Sequence, residues 1–366
     1  MENEQNHSFL RERQTELIKA MRFPLTVLVL YTHANRVEGV PMEWSLDAFN
    51  LYHIFTEVAG HYIGALSLCW FFFFSGFLFY HNKKRKFGWS WVSGKYKRRI
   101  SSILAPYIIW NLVNVAVVLV VTAFFGWMGI TISRDPIEAV EKGPLFWFFT
   151  GPIDYPLWYV RDLIIFSILA PVLYYPVKNA PWITLFVLLA LYFAPIFGLR
   201  CFLFPSLSFF CIGAWMGIRH DNLVGLCHRF RYPAAVLAVV FLIITTIMYN
   251  SGYDHNAYLL FAPFGMVTFL NICNRLFNYP WFKKAMLKFT EATFFIYAVH
   301  EIYILGWTKG LFLRVLGDSL LAKFVSFLFV PLVTLSLCLG LFYTIKRIMP
   351  AALQVLCGFR TVHKYK

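Results

Sequence analysis

Charge is scarce in this chain: Asp, Glu, Lys and Arg make up only 14% of its 366 residues, against about a quarter in a typical soluble domain. That scarcity excludes an ordinary soluble enzyme, whose surface needs charge to face water. No stretch is long or polar enough to form a separate soluble domain. No repeat relates the two halves, which weakens an inverted-repeat transporter. The first apolar run lacks a small-residue cleavage site, so no removable signal peptide is expected. The seven cysteines include no CxxC pair and are odd in number. They read as small buried hydrophobes, with no disulfide framework and no metal site.

What the chain has is apolar surface. Hydrophobic residues make up 59%, with 40 Phe, 20 Tyr and 12 Trp. A water-soluble core would not use so many, so the excess faces lipid. Apolar runs of about 20 residues, each enough to cross a bilayer, recur near 16–35, 61–80, 103–125, 156–176, 181–198, 202–218, 233–250, 257–276, 290–308 and 323–346. The expected fold is all-α: a polytopic integral membrane protein with about ten transmembrane helices in one bundle. A single domain would cover 1–366, with a short N-terminal segment at 1–15 and a basic tail at 348–366. The net charge of +15 sits between the apolar runs rather than on one polar surface, which speaks against a nucleic-acid partner. With ten spans, 25 Lys and Arg residues fall on the side of the termini and 8 on the other. Basic loops stay inside, so both termini are expected in the cytoplasm.

Ionisable residues inside spans are costly unless they face the bundle interior or a wet cavity, so function is sought there. Arg22 and His33 are eleven residues apart on the first span. That spacing is close to three helical turns, so both fall on one face, roughly 16 Å apart along the axis. His33 suits a general base near neutral pH; alternatively both residues snorkel at the two helix ends. Ser75 and Gly76 interrupt a dense aromatic run, fitting either helix packing or a substrate contact. Lys95, Lys97, Arg98 and Arg99 enter the third span. Arg98 and Arg99 suit phosphates, whereas the Lys83–Lys86 run reads as a topogenic loop touching anionic lipid. Arg161 and Asp162 open the fourth span, and His300 and Glu301 lie in the ninth. Neighbours on a helix point about 100° apart, so neither pair is expected to close on itself, and each residue is expected to partner another helix. Arg161 could bind an anionic or sugar substrate, or serve a polar clamp; a clamp is the expected role of Glu301.

Five motifs in order, Arg22-x10-His33, SGF at Ser75–Phe77, KRRI…PY from Lys97 to Tyr107, PLWYVRD from Pro156 to Asp162 and YAVHE from Tyr297 to Glu301, resemble the acyltransferase-3 family of membrane acyltransferases. That family includes bacterial O-antigen and exopolysaccharide O-acetyltransferases. The resemblance implies transfer of an acyl group, often acetyl, from cytoplasmic acyl-CoA to a hydroxyl of a glycan or lipid-linked saccharide, in a bacterial inner membrane. His33 would be the catalytic base and Arg22 its partner. Arg98 and Arg99 would meet the CoA phosphates, with Lys97, Ser75 and Gly76 in the same donor site. Trp158, Arg161, Asp162, His300 and Glu301 would form an acceptor or structural polar cluster. Acyl-CoA, with acetyl-CoA the expected form, would be the donor substrate, with no permanently bound cofactor. Membrane lipid and the glycan are the partners implied. Ser102 stands where relatives often carry a second Arg three residues after the first. The appended soluble esterase-like domain of some relatives is not expected.

On this reading the pantetheine arm runs past Arg22 toward His33, and the acceptor hydroxyl attacks the thioester directly or through an acyl-enzyme. A rival is a transporter or flippase of an anionic lipid or lipid-linked sugar, using the same intramembrane Arg and His residues as a path. A non-catalytic scaffold would leave the ionisable face of the first span unexplained.

Overall fold

The structure is a computed structural model that describes residues 2–34, 42–43, 45–81, 87–130, 135–193, 203–219, 222–251 and 253–358. Lys83–Lys86, Cys201 and the tail after Gly358 lie outside the described residues. Every regular element among the described residues is helical. In chain order the helices are α1 (Glu2–Ala34), α2 (Ala48–Thr56), α3 (Ile63–Tyr80), α4 (Trp89–Arg99), α5 (Ala105–Trp127), α6 (Asp135–Glu141), α7 (Gly143–Leu145), α8 (Trp158–Asn179) and α9 (Pro181–Phe193). There follow α10 (Leu203–Arg219), α11 (Leu223–Arg229), α12 (Arg231–Ile247), α13 (Asp254–Leu276), α14 (Pro280–Phe289), α15 (Thr293–Val299), α16 (Gly306–Leu316), α17 (Leu320–Ile348) and α18 (Pro350–Leu356). Four π turns interrupt them, at Glu57–Tyr62, Ile100–Leu104, Phe146–Thr150 and His300–Leu305. Such i→i+5 turns are rare and cluster at functional sites.

Within the described residues, helix covers all ten apolar runs. Five helices are long and apolar enough to cross a membrane, or six if the pair α11 and α12, bent by 72°, counts as one span. The other runs fall short for local reasons. α9 and α10 border residues outside the described ones, which leaves 13 and 17 residues to them. α1 carries Arg22 and His33, and the run 290–308 is broken by a 3-10 turn and a π turn. Exposed apolar side chains line the outer faces, as on α12 (Val236, Val239, Val240, Ile243, Ile247) and α5 (Leu112, Leu119, Val120, Phe124). Contiguous exposed apolar surface of this kind is what a lipid solvent favours.

Contacts gather the chain into two compact units. The first comprises Met1–Lys84, Val172–Thr293 and Trp307–Leu335. Its core joins α3 to α10 around Trp70, Phe72, Phe77 and Phe210, all essentially inaccessible. α1 is held to α14 and its flanks at three levels. The Phe23 and Phe289 rings stack at 5.0 Å, Lys283 pairs with Glu16 at 2.5 Å, and Thr290 Oγ1 donates to the Lys19 carbonyl at 3.1 Å. The second unit comprises Arg85–Pro171, Phe294–Gly306 and Ser336–Lys366. Trp110 is its hub: Nε1 donates to the Leu356 carbonyl at 2.9 Å, and the ring meets Phe295 edge-on at 5.7 Å. Phe295 in turn meets Phe342 at 5.7 Å.

Candidate active site

The first unit holds Arg22, His33, Ser75 and Gly76. α1 is one continuous helix through Pro24, and from Ala20 to Ala34 none of its residues is exposed. The stretch therefore packs among other helices, with Arg22 and His33 both partly buried. His33 lies in the last turn. The turn is seated by a pair of glycines that hydropathy does not reveal. A Cβ on Gly60 would stand 3.0 Å from the Tyr31 carbonyl oxygen, and one on Gly64 would stand 2.2 Å from Thr32 Oγ1 and 3.2 Å from the Leu28 carbonyl oxygen. Gly60 and Gly64 form a small-xxx-small pair, which lets backbones approach closely. The Tyr31 hydroxyl, donating to the Leu328 carbonyl at 3.1 Å, ties the same turn to α17.

Gly76 does a different job from the one expected of a donor site. A Cβ there would lie 2.0 Å from the Phe210 carbonyl oxygen and 2.9 Å from the Ala214 nitrogen. The interaction is reciprocal, since a Cβ on Gly213 would lie 2.0 Å from the Phe73 carbonyl oxygen and one on Gly217 2.5 Å from that of Phe77. The missing side chain of Gly76 is thus replaced by the backbone of α10, leaving that face no room for a substrate. Ser75 is partly buried one residue earlier on α3.

The second unit holds the remaining candidates. Lys97, Arg98 and Arg99 form the last turn of α4, where Lys97 and Arg98 are exposed and Arg99 is partly buried. The π turn Ile100–Leu104 follows directly and carries Ser102. A Cβ on Gly358 would touch the Ser102 carbonyl and Cα at 2.8 and 2.9 Å, so the C-terminal segment packs closely against the backbone of this turn. Lys95 lies over the Trp91 ring at 5.1 Å.

Arg161 and Asp162 correct the expectation drawn from helical geometry. Arg161 Nε and Nη2 both donate to Asp162 Oδ1, at 3.0 and 2.9 Å, and Nη1 donates to the Thr150 carbonyl. The 100° step separates Cβ directions, but the long guanidinium stem folds back across it. Burial favours the closure, because Asp162 is only 3% exposed and a buried carboxylate needs a paired charge. Trp158, partly buried, starts the same helix.

The YAVHE segment packs at that helix start. The Tyr297 hydroxyl donates to the Pro156 carbonyl, and the Tyr159 and Tyr297 rings meet edge-on at 5.9 Å. His300 is fully buried, and its Nδ1 lies 2.8 Å from the Tyr297 carbonyl. A carbonyl only accepts, so Nδ1 carries the hydrogen and Nε2 the lone pair in the neutral ring. Nε2 is 3.6 Å from Glu301 Oε2. Here too adjacent residues converge, because the helix widens into a π turn at His300. Sequence reading missed Asp154, which is 1% exposed in the loop before α8. Burial first, and then the charge of Glu301, hold its carboxyl well above the usual carboxylate range. It lies outside every apolar run, so a search for charges within spans passes over it.

With this geometry in hand, the chain can be set against known proteins. A family model described as an acyltransferase domain matches residues 17–344, which takes in Arg22, His33, Lys97–Arg99, Arg161 and His300. The chain belongs to this acyltransferase family. Among curated proteins, it is 26% identical over 299 residues to the succinoglycan biosynthesis protein ExoH of Rhizobium meliloti (strain 1021), covering 78% of this chain and 77% of that protein. No solved structure matches. Membership in the acyltransferase family favours acyl transfer over transport as the activity of this chain.

Proposed function

We propose that this chain is an acyl-CoA-dependent O-acyltransferase of a bacterial inner membrane, with both termini cytoplasmic and about ten passes of the chain through the bilayer. It would move an acyl group, acetyl in the simplest case, to a hydroxyl of a surface polysaccharide or its lipid-linked precursor. The observation that carries the reading is the buried α1 of an acyltransferase, bearing a cation and an imidazole three turns apart on one face. The relative's role in succinoglycan biosynthesis supports a polysaccharide acceptor.

His33 acts as the general base that removes the proton from the acceptor hydroxyl. The oxygen then attacks the thioester carbonyl, the C–S bond breaks, and CoA leaves as the thiol after taking up a proton. Arg22, lower on the same face, supplies positive charge along the donor's path. Lys97, Arg98 and Arg99 hold the donor's phosphates by charge and forked hydrogen bonds. Arg161, Asp162, His300 and Glu301 serve the acceptor or the local structure.

The test is transfer of labelled acetyl from acetyl-CoA to polysaccharide by membranes containing the protein. His33→Ala should reduce the rate by about 10²–10⁴-fold, the usual contribution of a general base, while membrane abundance stays unchanged. Full activity in that variant would end the assignment of His33. Mass spectrometry of surface glycans with and without the protein would show the acyl group as a mass difference.

A further inference from the structure

The outer extension of the second span carries a cluster that no part of the scheme above uses. α2, its π turn and α3 form one 33-residue helical stretch, Ala48–Tyr80. At 1.5 Å per residue it is about 50 Å long, against a hydrocarbon core of about 30 Å. The run 61–80 suffices to cross, so residues 48–60 stand beyond it, on the side opposite the termini. There Glu57 is 2% exposed and contacts His61 Nδ1. The His61 side chain is 39% exposed. Its ring stacks on Tyr62 at 5.5 Å and lies 6.4 Å from the ring of the exposed His255 at the start of α13.

His61 and Glu57 stand four residues apart on one helical segment, so their side chains meet on one face. The second observation is His53, one turn earlier. It is 0% exposed, neither ring nitrogen has a hydrogen-bond partner among the described residues, and it sits beside Glu57 with its ring edge-on to Tyr249 at 5.5 Å. A buried carboxylate orienting a half-exposed imidazole, backed by a second buried imidazole, is an arrangement for gripping hydroxyl groups. Carboxylate oxygens accept from sugar hydroxyls, imidazole nitrogens both accept and donate, and flat rings supply the stacking face. Gly60 and Gly64, in the same segment, seat it on the Tyr31–Thr32 turn that precedes His33.

We infer that Glu57 and His61, flanked by His255, form a binding subsite for a saccharide hydroxyl on the outer side of the molecule. This rests on the reading of acyl transfer to a glycan, and assigns the acceptor a place in it.

The experiment uses full-length protein in proteoliposomes, with acetyl-CoA and alkali-deacylated oligosaccharide fragments of the producing cell's own surface polysaccharide. In His61→Ala and Glu57→Gln the KM for the fragments should rise tenfold or more, with the KM for acetyl-CoA unmoved. His255→Ala, at an exposed position that folding tolerates, should raise it several-fold. An unchanged fragment KM in His61→Ala and His255→Ala would overturn the subsite. Saturation-transfer NMR of the same fragments gives a readout independent of chemistry. Binding to wild type that is lost in His61→Ala supports the subsite even if no acyl transfer is detected. Equal binding to both, or none to wild type, overturns it. Absence of transfer alone would instead count against the acyltransfer reading.

Discussion

Asp154 makes a pH-dependent contribution whose sign follows from its surroundings. Burial and the charge of Glu301 raise its carboxyl well above the usual range, whereas in the unfolded chain it would ionise near about 4. The folded form therefore keeps a proton that the unfolded form releases. The stability this group contributes is complete below that ordinary value and is lost as pH rises through the raised one. In detergent, the thermal midpoint of the wild type should fall as pH climbs from the ordinary carboxylate range. Asp154→Asn, which keeps the shape without the acid, should flatten that slope; equal slopes would show that Asp154 titrates normally. At this scale the sequence was partly legible. Arg22, His33, Arg161 and His300 stand out because a charge within an apolar run is improbable without a use. Asp154 and Glu57 do not, since each is made unusual by neighbours distant in the chain or by burial that composition does not report. Arg161 closes onto Asp162 because its guanidinium stem reaches across the angle between the two Cβ directions, a reach that helical periodicity does not encode.

The helices were legible as apolar runs, but their contacts were not. The crossing of α3 and α10 depends on Gly76, Gly213 and Gly217, each backed by a carbonyl of the opposite helix. Gly213→Ala would press a methyl against the Phe73 carbonyl and force the helices apart, at a cost of about 1–3 kcal/mol or more. Unfolding in mixed micelles should show that loss, whereas Gly94→Ala, where a Cβ meets nothing within 4 Å, should be tolerated. Equal stability of the two variants would contradict the crossing as described. SGF at Ser75–Phe77 was visible as a motif, yet its partner on α10 lies more than a hundred residues away, so packing and substrate contact could not be told apart from sequence. The π turns were equally hidden. They arise from how side chains seat in the folded chain, and no residue type encodes them.

For the molecule as a whole, hydropathy gives the solvent and charge asymmetry gives the sense of insertion. The bias of 25 basic residues to 8 predicts that a reporter fused after Lys366, active only in the cytoplasm, will be active, and that one active only outside will not. The reverse pattern would place the C-terminus outside and overturn the charge-based orientation. Length alone is a poorer guide to the count: among the described residues five helices, or six with the bent pair, are long and apolar enough to cross.

The mooring of α1 has a consequence for catalysis. α14 has no buried residue and carries three lysines among aromatic and aliphatic side chains, the composition of a helix that floats at a headgroup layer. Through Phe289 and Lys283, and through Thr290 just beyond its end, it grips α1 between Glu16 and Phe23. From Lys19 to His33 is a rigid rod of about 21 Å. The height of the His33 imidazole is therefore gauged from α14, so that, on the acyl-transfer reading proposed above, a bilayer that thins or thickens would carry the acceptor toward or away from a base that stays put.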